Sequence, residues 1–279
     1  MPRVKLMNQS MYYMDRGTGE AVVLLHSYLA NAFMWTPQIQ ALEAHYRVIV
    51  PDLWGHGSSG PLPNGTADLA ALTRHMQGLL DSIGLQSYVL VGQSVGGMLA
   101  AELALMAPGR AKGLILLGTY LGPEPEKSQA YFMDILDRVE TSEGFPPALL
   151  DEVASLFFRD SGSGAVSLKS SFRKQLSSWS ADVLRQSIVP IGRMIFQRAD
   201  RRSSLHALDP ASTLVMCGAY DPVRPPSESR EMAQRIGCQY LEVPNASHTS
   251  NLEQPDFVTQ ALLGFLGELD RHPRSSASC

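Results

Sequence analysis

The chain has 279 residues, of which 44% are hydrophobic and 18% charged, and it carries a net charge of −4 at pH 7. This composition is ordinary for a globular domain with a sizeable core, and the weak negative charge gives no electrostatic reason to bind nucleic acid. The apolar runs, such as 22–25, are too short to span a bilayer, and the first ten residues lack the apolar core of a signal peptide. We therefore expect a cytoplasmic protein without a membrane span.

The sequence contains no motif that predicts a cofactor or a metal. The cysteines Cys217, Cys238 and Cys279 are too far apart to indicate a disulfide framework or a zinc site. No phosphate-binding or dinucleotide-binding glycine motif occurs, and no zinc-binding His-Glu helix motif. We expect the protein to act without a cofactor or a metal ion.

Apolar runs and helical patterns alternate along most of the chain. Strands are predicted near residues 3–7, 10–16, 21–26, 46–50, 87–92, 112–118, 212–218 and 238–243. Helical patterns fall between them, notably at 66–83 and 94–107. This alternation predicts an α/β fold with a mostly parallel, eight-stranded sheet and helices on both faces. In such sheets the functional residues gather at the carboxyl ends of the strands.

Residues 122–208 interrupt the alternation, and prolines punctuate helical segments there. We expect a helical cap at 122–208, inserted into a core formed by 1–121 and 209–270, with a flexible tail at 271–279. Large apolar side chains of the cap are expected either to line an acyl pocket or to form the cap's own core: Met133, Phe157, Trp179, Met194 and Phe196. The basic cluster Arg198, Arg201 and Arg202 predicts a solvated face.

The sequence Gly-Gln-Ser-Val-Gly at 92–96 lies between the apolar run 88–91 and the helical stretch 98–106. A sharp turn from strand to helix leaves the serine hydroxyl exposed at its tip, and the flanking glycines remove Cβ atoms that would clash. The helix that follows directs its N-terminal amides toward the serine, where they can stabilise an oxyanion. Ser94 is therefore the candidate nucleophile.

A serine nucleophile needs a histidine as its base, and three histidines follow Ser94. His272 lies in the polar tail, and His206 lies in a segment typical of a surface. His248 follows the predicted strand 238–243, in a loop that would face the serine turn. His248 is therefore the candidate base.

The candidate acid is Asp221, which follows the buried strand predicted at 212–218. Pro222 restricts the backbone of this aspartate to extended geometry. The end of the preceding strand, 112–118, is the alternative place for an acid, but no acidic residue occurs there before Glu124. The order serine, acid, histidine along the chain is the one that this type of turn predicts.

Together these motifs resemble the α/β-hydrolase superfamily over roughly residues 10–268. The sequence Leu-Leu-His-Ser-Tyr at 24–28 corresponds to the family's His-Gly loop. The stretch 48–59 resembles the family's D-x-x-G-x-G-x-S turn, and 247–257 resembles its catalytic histidine segment. The resemblance implies the α/β-hydrolase fold, with the inserted cap over the active site.

Within the superfamily, the segments around Trp35 and at 251–255 look most like those of 3-oxoadipate enol-lactonases, next to carboxylesterases. The resemblance implies that the backbone N–H groups of Tyr28 and Val95 form an oxyanion hole. Ser27 stands where the family usually has glycine, and it would either add a side-chain donor or occupy a geometry that a small residue tolerates.

The resemblance implies a serine hydrolase that cleaves a carboxylic ester or lactone of a small, largely apolar molecule through an acyl-enzyme on Ser94. In this superfamily the same three residues also serve C–C bond hydrolases and cofactor-free haloperoxidases, and some members act as ligand receptors; these alternatives stay open. His26 and Asp52 are implied to be structural. The sequence leaves the oligomeric state open, with a homodimer as one option.

Overall fold

The computed structural model describes residues 2–162 and 164–271. At its centre is one eight-stranded sheet with the strand order β1-β2-β4-β3-β5-β6-β7-β8. The strands are β1 (Arg3–Leu6), β2 (Gln9–Arg16), β3 (Ala21–Leu25), β4 (Arg47–Pro51), β5 (Tyr88–Gln93), β6 (Ala111–Leu117), β7 (Thr213–Gly218) and β8 (Gln239–Val243). The β1–β2 and β2–β4 pairs are antiparallel, and all pairs from β4 to β8 are parallel. The mostly parallel sheet predicted from the sequence is confirmed.

Helices connect the strands. They are α1 (Thr36–Leu42), α2 (Leu69–Ser82), α3 (Val95–Met106), α4 (Glu126–Glu140), α5 (Pro147–Phe157), α6 (Ala165–Ser177), α7 (Ala181–Val183), α8 (Val189–Phe196), α9 (Pro226–Ile236), α10 (Ser250–Glu253) and α11 (Pro255–Arg271). No helix of the described residues is long and apolar enough to cross a membrane. Arg271, expected in the tail, ends α11, and residues 272–279 lie outside the described part of the chain.

Both faces of the central strands β3, β5 and β7 are buried, which explains their unbroken apolar runs in the sequence. In β3, Val23 and Leu25 belong to the core on one face, and Val22 and Leu24 belong to the core on the other. Successive side chains of a strand point to opposite faces, so a strand covered on both sides has no solvated position. Helices α2, α3 and α9 cover the first face, and α1 and α11 cover the second.

In the described part of the chain, the α-helices α4 to α8 lie between β6 and β7, where the βα alternation was expected to stop. Helix α7 continues through one π-helical turn (Leu184–Ile188) into α8, and Pro190 fits because it lies in the first turn of α8. The apolar side chains of these helices join the core that covers the first face of the sheet, for example Leu149 and Leu184. We call residues 122–208 the helical insert.

Candidate active site

Ser94 occupies the tight turn between β5 and α3, with φ 56° and ψ −121°. This backbone conformation is strained for a residue with a side chain, and it persists only where neighbouring bonds hold it. The carbonyl oxygen of Ser94 accepts hydrogen bonds from the N–H groups of Gly97 and Met98 at 2.9 and 3.1 Å. The hydroxyl of Thr119 donates to the same carbonyl at 2.7 Å. These contacts fix the serine at the tip of the turn.

The glycines on either side of Ser94 are required by close backbone contacts, as the sequence predicted. A Cβ atom on Gly92 would lie 2.2 Å from the carbonyl oxygen of Gly96, and one on Gly96 would lie 2.2 Å from that of Leu25. Real Cβ atoms do not approach backbone atoms so closely, so the helix could not start this near the strand with any larger residue.

Asp221 and His248 are brought together by the ends of β7 and β8. Oδ2 of Asp221 lies 2.8 Å from Nδ1 of His248, a hydrogen-bond distance. The other carboxylate oxygen, Oδ1, accepts the N–H groups of Val223 and Arg224 at 2.9 and 2.8 Å. Both side chains are buried, and among the described residues Nε2 of His248 has no hydrogen-bond partner.

Neighbouring groups hold the backbone and ring of His248. Nε2 of Gln93, the residue before Ser94, donates to the carbonyl of His248 at 2.6 Å. Phe157 of the helical insert meets the imidazole edge to face, with ring centroids 5.2 Å apart. The N–H of Thr249 donates to the carbonyl of Phe157 at 3.0 Å. The histidine loop is therefore held both by the residue before Ser94 and by the helical insert.

Glu253 makes a second link between this loop and the insert. Its two carboxylate oxygens accept the N–H groups of Ser247 at 2.6 Å and Arg159 at 2.8 Å. Neither Gln93 nor Glu253 was predicted from the sequence. Gln93 meets His248 across 155 positions and Glu253 meets Arg159 across 94 positions, so no local pattern marks these contacts.

Tyr28 and Val95 lie beside the serine turn, Tyr28 in the loop after β3 and Val95 at the first position of α3. Among the described residues, the N–H groups of Tyr28 and Val95 donate no hydrogen bond within the protein. At Val95 this is the usual state of a helix N-terminus. Ser27 lies outside the positive-φ region, unlike Leu29 with φ 61°, so this position does not require glycine.

Two buried histidines, His26 and His56, make hydrogen bonds that hold the loop after β3. Nε2 of His26 accepts the N–H of Leu53 at 2.8 Å, and Nε2 of His56 accepts that of Leu29 at 3.3 Å. Nδ1 of each ring lies 2.7 or 2.8 Å from a backbone carbonyl, so both rings are neutral with the proton on Nδ1. Burial lowers the pKa of His26 to about 4, and burial with the neighbouring His26 lowers that of His56 to about 3. The carboxylate of Asp52 accepts the backbone N–H groups of Ala32 and Ser58, each at 2.7 Å.

Ser94 and His248 line a cavity between the sheet and the helical insert. The volume of this cavity is about 50 Å³. Most of the other lining residues are apolar and belong to the insert, among them Ile135, Leu136, Phe145, Phe157, Ile188 and Phe196. No three His, Cys, Asp or Glu side chains within the described ranges are grouped to hold a metal ion.

Of the five insert side chains expected near an acyl pocket, Phe157 and Phe196 line this cavity, and the other three do not. Trp179 packs against the edge of His56, with ring centroids 5.9 Å apart, and lines a different groove. Met194 lines a groove on the other side of α8, and Met133 packs against the apolar core. These three side chains belong to the packing of the insert.

The expectation of a solvated basic face is wrong for Arg198. Its side chain is 4% exposed, and Nη1 donates to Oε2 of Glu124 at 2.7 Å. The other oxygen of Glu124 accepts Nη2 of Arg224, which is also buried. Burial alone would raise the pKa of Glu124, but the two guanidinium groups outweigh it and hold the pKa below its usual value. Arg201 and Arg202 lie at the surface, as predicted, where they form ion pairs with Glu102 and Asp200.

Comparison with known proteins agrees with this architecture. Residues 20–255 match the family described as the alpha/beta hydrolase fold. The chain belongs to this family. The α/β-hydrolase is 29% identical to the 3-oxoadipate enol-lactonase 1 of Acinetobacter baylyi over 246 residues, which cover 88% of each chain.

Two solved structures extend the comparison to the whole fold. A thermophilic esterase from Thermogutta terrifontis superposes with a TM-score of 0.84 at 29% identity, covering 96% of this chain and 99% of that chain. The enol-lactonase from Burkholderia xenovorans LB400 superposes with a TM-score of 0.82 at 26% identity, covering 95% and 100%. The hydrolase is thus similar to esterases and enol-lactonases along nearly all of its length.

Proposed function

We propose that this α/β-hydrolase is a serine hydrolase that cleaves a carboxylic ester or lactone through an acyl-enzyme on Ser94. The observation that carries the proposal is the buried pair of Asp221 and His248, 2.8 Å apart, whose free Nε2 shares a cavity with the strained Ser94. The similarity to proteins named esterase and enol-lactonase supports this reaction class.

In the proposed mechanism, Nε2 of His248 removes the proton of the Ser94 hydroxyl as this oxygen attacks the carbonyl carbon of the substrate. Asp221 accepts the Nδ1–H of His248, so it keeps the imidazole in the correct tautomer and stabilises its charged form. The N–H groups of Tyr28 and Val95 hold the oxyanion of the tetrahedral intermediate, and they are available because no acceptor among the described residues uses them.

His248 then donates its proton to the departing alkoxide, or to the ring oxygen of an opened lactone, which leaves Ser94 acylated. Water, deprotonated by the same imidazole, attacks the acyl carbonyl and releases the acid. The helical insert acts in this proposal as the cap, because its apolar side chains, Phe157 and Phe196 among them, line the cavity where the acyl part would lie. The substrate is thus a small molecule with a largely apolar body.

The experiment that tests the proposal measures turnover and covalent labelling together. The wild-type protein is assayed on 4-nitrophenyl esters, lactones and vinylogous diketones, and an alkyl fluorophosphonate adduct is located by mass spectrometry. We expect ester or lactone turnover and a single adduct on Ser94, and both should be lost in Ser94→Ala. Ser178→Ala, which changes an exposed serine, is the matched control and should keep both.

The panel also separates the alternative functions. Turnover confined to vinylogous diketones would identify a C–C bond hydrolase instead, and peroxide-dependent halogenation would identify a haloperoxidase. Binding of a ligand without turnover on any member of the panel would indicate a receptor. Ester turnover that survives in Ser94→Ala would overturn the assignment of the nucleophile.

A further inference from the structure

Three charged side chains line the otherwise largely apolar cavity beside Ser94 and His248: Glu124, Arg198 and Arg224. They come from different parts of the chain, namely the segment after β6, the segment after α8 and the loop between Asp221 and α9. The side chain of Glu124 is 0% exposed, and those of Arg198 and Arg224 are each 4% exposed. Charged groups are rarely buried so deeply without a function or a full set of partners.

The set of partners is incomplete. Both oxygens of Glu124 are used by the two arginines, and Arg198 also donates to the carbonyls of Gly122 and Ile195 at 2.8 and 2.9 Å. Among the described residues, however, Nη2 of Arg198 and Nη1 of Arg224 have no acceptor although both atoms are buried. A buried charged donor without an acceptor is costly, so these two nitrogens indicate a missing partner.

The charge of the cluster is also unbalanced. Two guanidinium groups face one fully paired carboxylate, that of Glu124. A further carboxylate nearby is Glu228, whose Oε2 forms an ion pair with Nη1 of Arg224 at 3.5 Å but no hydrogen bond. Burial raises the pKa of Glu228 to about 7, so near neutral pH this residue supplies only part of a negative charge. Near neutral pH the carboxylates of Glu124 and Glu228 together therefore carry less negative charge than the positive charge of the two guanidinium groups.

We propose that Arg198 and Arg224 form a subsite for a carboxylate of the substrate, so that the enzyme prefers esters or lactones that also carry a free carboxylate. This inference rests on the proposed serine hydrolase function. A guanidinium group presents planar N–H donors that match the two oxygens of a carboxylate, and a substrate carboxylate would accept hydrogen bonds from Nη2 of Arg198 and Nη1 of Arg224. The apolar lining then holds the carbon chain between the carboxylate and the scissile carbonyl.

The test compares matched pairs of substrates. Mono-(4-nitrophenyl) esters of dicarboxylic acids with five to eight carbons are assayed against the analogues whose free carboxylate is replaced by a primary amide. The rate measured with Ser94→Ala gives the spontaneous hydrolysis, and this rate is subtracted from each wild-type rate. For at least one chain length we expect kcat/KM of the carboxylate to exceed that of the amide by about 10- to 100-fold, the usual value of hydrogen bonds to a charged group.

Variants then assign the preference to the cluster. Arg198→Met and Arg224→Met should each lower the carboxylate-to-amide ratio by about 10-fold or more. Arg201→Gln is the matched control, because Arg201 lies on the surface in the same basic segment and pairs with Glu102. This control should leave the ratio unchanged. If a methionine variant does not fold, the lysine variant at the same position keeps the charge, loses the planar donors and should still lower the ratio.

Three results would overturn the inference in distinguishable ways. A wild-type ratio of one or less at every chain length rules out a carboxylate subsite, while the proposed hydrolase function stands. A high ratio that survives in folded variants of both Arg198 and Arg224 places the subsite elsewhere. If the wild-type protein hydrolyses neither the carboxylate series nor the amide series, the proposed function itself is contradicted.

Discussion

Asp221→Asn tests the candidate triad most directly, because it keeps the shape of the side chain and removes its charge. In the structure, Oδ1 of Asp221 accepts two backbone N–H groups, from Val223 at 2.9 Å and Arg224 at 2.8 Å. Only the oxygen of an asparagine amide can replace this acceptor. We therefore expect the amide oxygen to stay with the two N–H groups and the NH2 group to face Nδ1 of His248.

This orientation would hold the imidazole in the wrong tautomer. The NH2 group can only donate, so Nδ1 of His248 would have to accept, and the ring proton would move to Nε2. A nitrogen that already carries a proton cannot remove the proton of Ser94. The corresponding change in serine proteases costs about 10⁴ in kcat, equivalent to about 5 kcal/mol of transition-state stabilisation. We expect a loss of similar size here.

The effect on stability should be much smaller. The asparagine keeps both backbone hydrogen bonds and makes a new one to His248, so only the charge assistance of these bonds is lost, worth about 1–2 kcal/mol. The measurement is kcat on a 4-nitrophenyl ester, with thermal unfolding followed by circular dichroism on the same samples. Asp151→Asn is the matched control, because Asp151 is an exposed residue of α5 that pairs with Arg173, and it should leave kcat unchanged.

A folded Asp221→Asn protein that keeps more than about a tenth of the wild-type kcat would refute this reasoning, because the loss of the catalytic base lowers kcat by far more than tenfold. In that case the hydrogen bond between Asp221 and His248 would have to be structural. A loss of kcat that matches a loss of folded protein would also contradict the prediction, because it would come from unfolding and not from the tautomer.

Three further outcomes are expected. Ser94→Ala should lower kcat by about 10⁶ with no loss of fold, and more than a few per cent of residual turnover in a clean preparation would contradict the nucleophile. Phe196→Ala should shift the preference among acyl chain lengths by about 1–3 kcal/mol in kcat/KM, because Phe196 lines the cavity. Trp179→Ala, outside the cavity, should change only the melting temperature. If both variants or neither changed the chain-length profile, the assignment of the residues that line the cavity would be contradicted. Between pH 6.5 and about 4, the unfolded chain should bind protons that the folded chain excludes from His26 and His56, whose pKa values in the fold are about 4 and about 3. As the pH falls, the free energy of unfolding should therefore decrease by about 1.4 kcal/mol per pH unit for each histidine. If the free energy from urea unfolding stayed constant over this pH range, the conclusion that His26 and His56 are neutral in the fold would be contradicted.

Local patterns in the sequence determined the strands and the positions of the candidate triad. Side chains alternate along a strand, so a strand buried on both faces must read as an unbroken apolar run, and the ends of such runs located Ser94 and Asp221. His248 was located by the end of the last predicted strand, which is partly exposed. The glycines at 92 and 96 carried the same information, because a strand that turns at once into a helix leaves no room for a Cβ atom. These features depend on neighbours within a few residues, which is why the sequence alone was sufficient.

Only the tertiary structure decided what surrounds these residues. In the sequence, Arg198 looks no different from Arg201 and Arg202, yet it is buried because the end of α8 returns to the cavity and meets Glu124. Glu124 and Arg224, which form an ion pair, are 100 positions apart. Trp179 was likewise indistinguishable from Phe196 as an apolar side chain of the insert. Packing between distant segments leaves no periodicity in the chain, so the charge and lining of the cavity could be known only once the fold had brought those segments together.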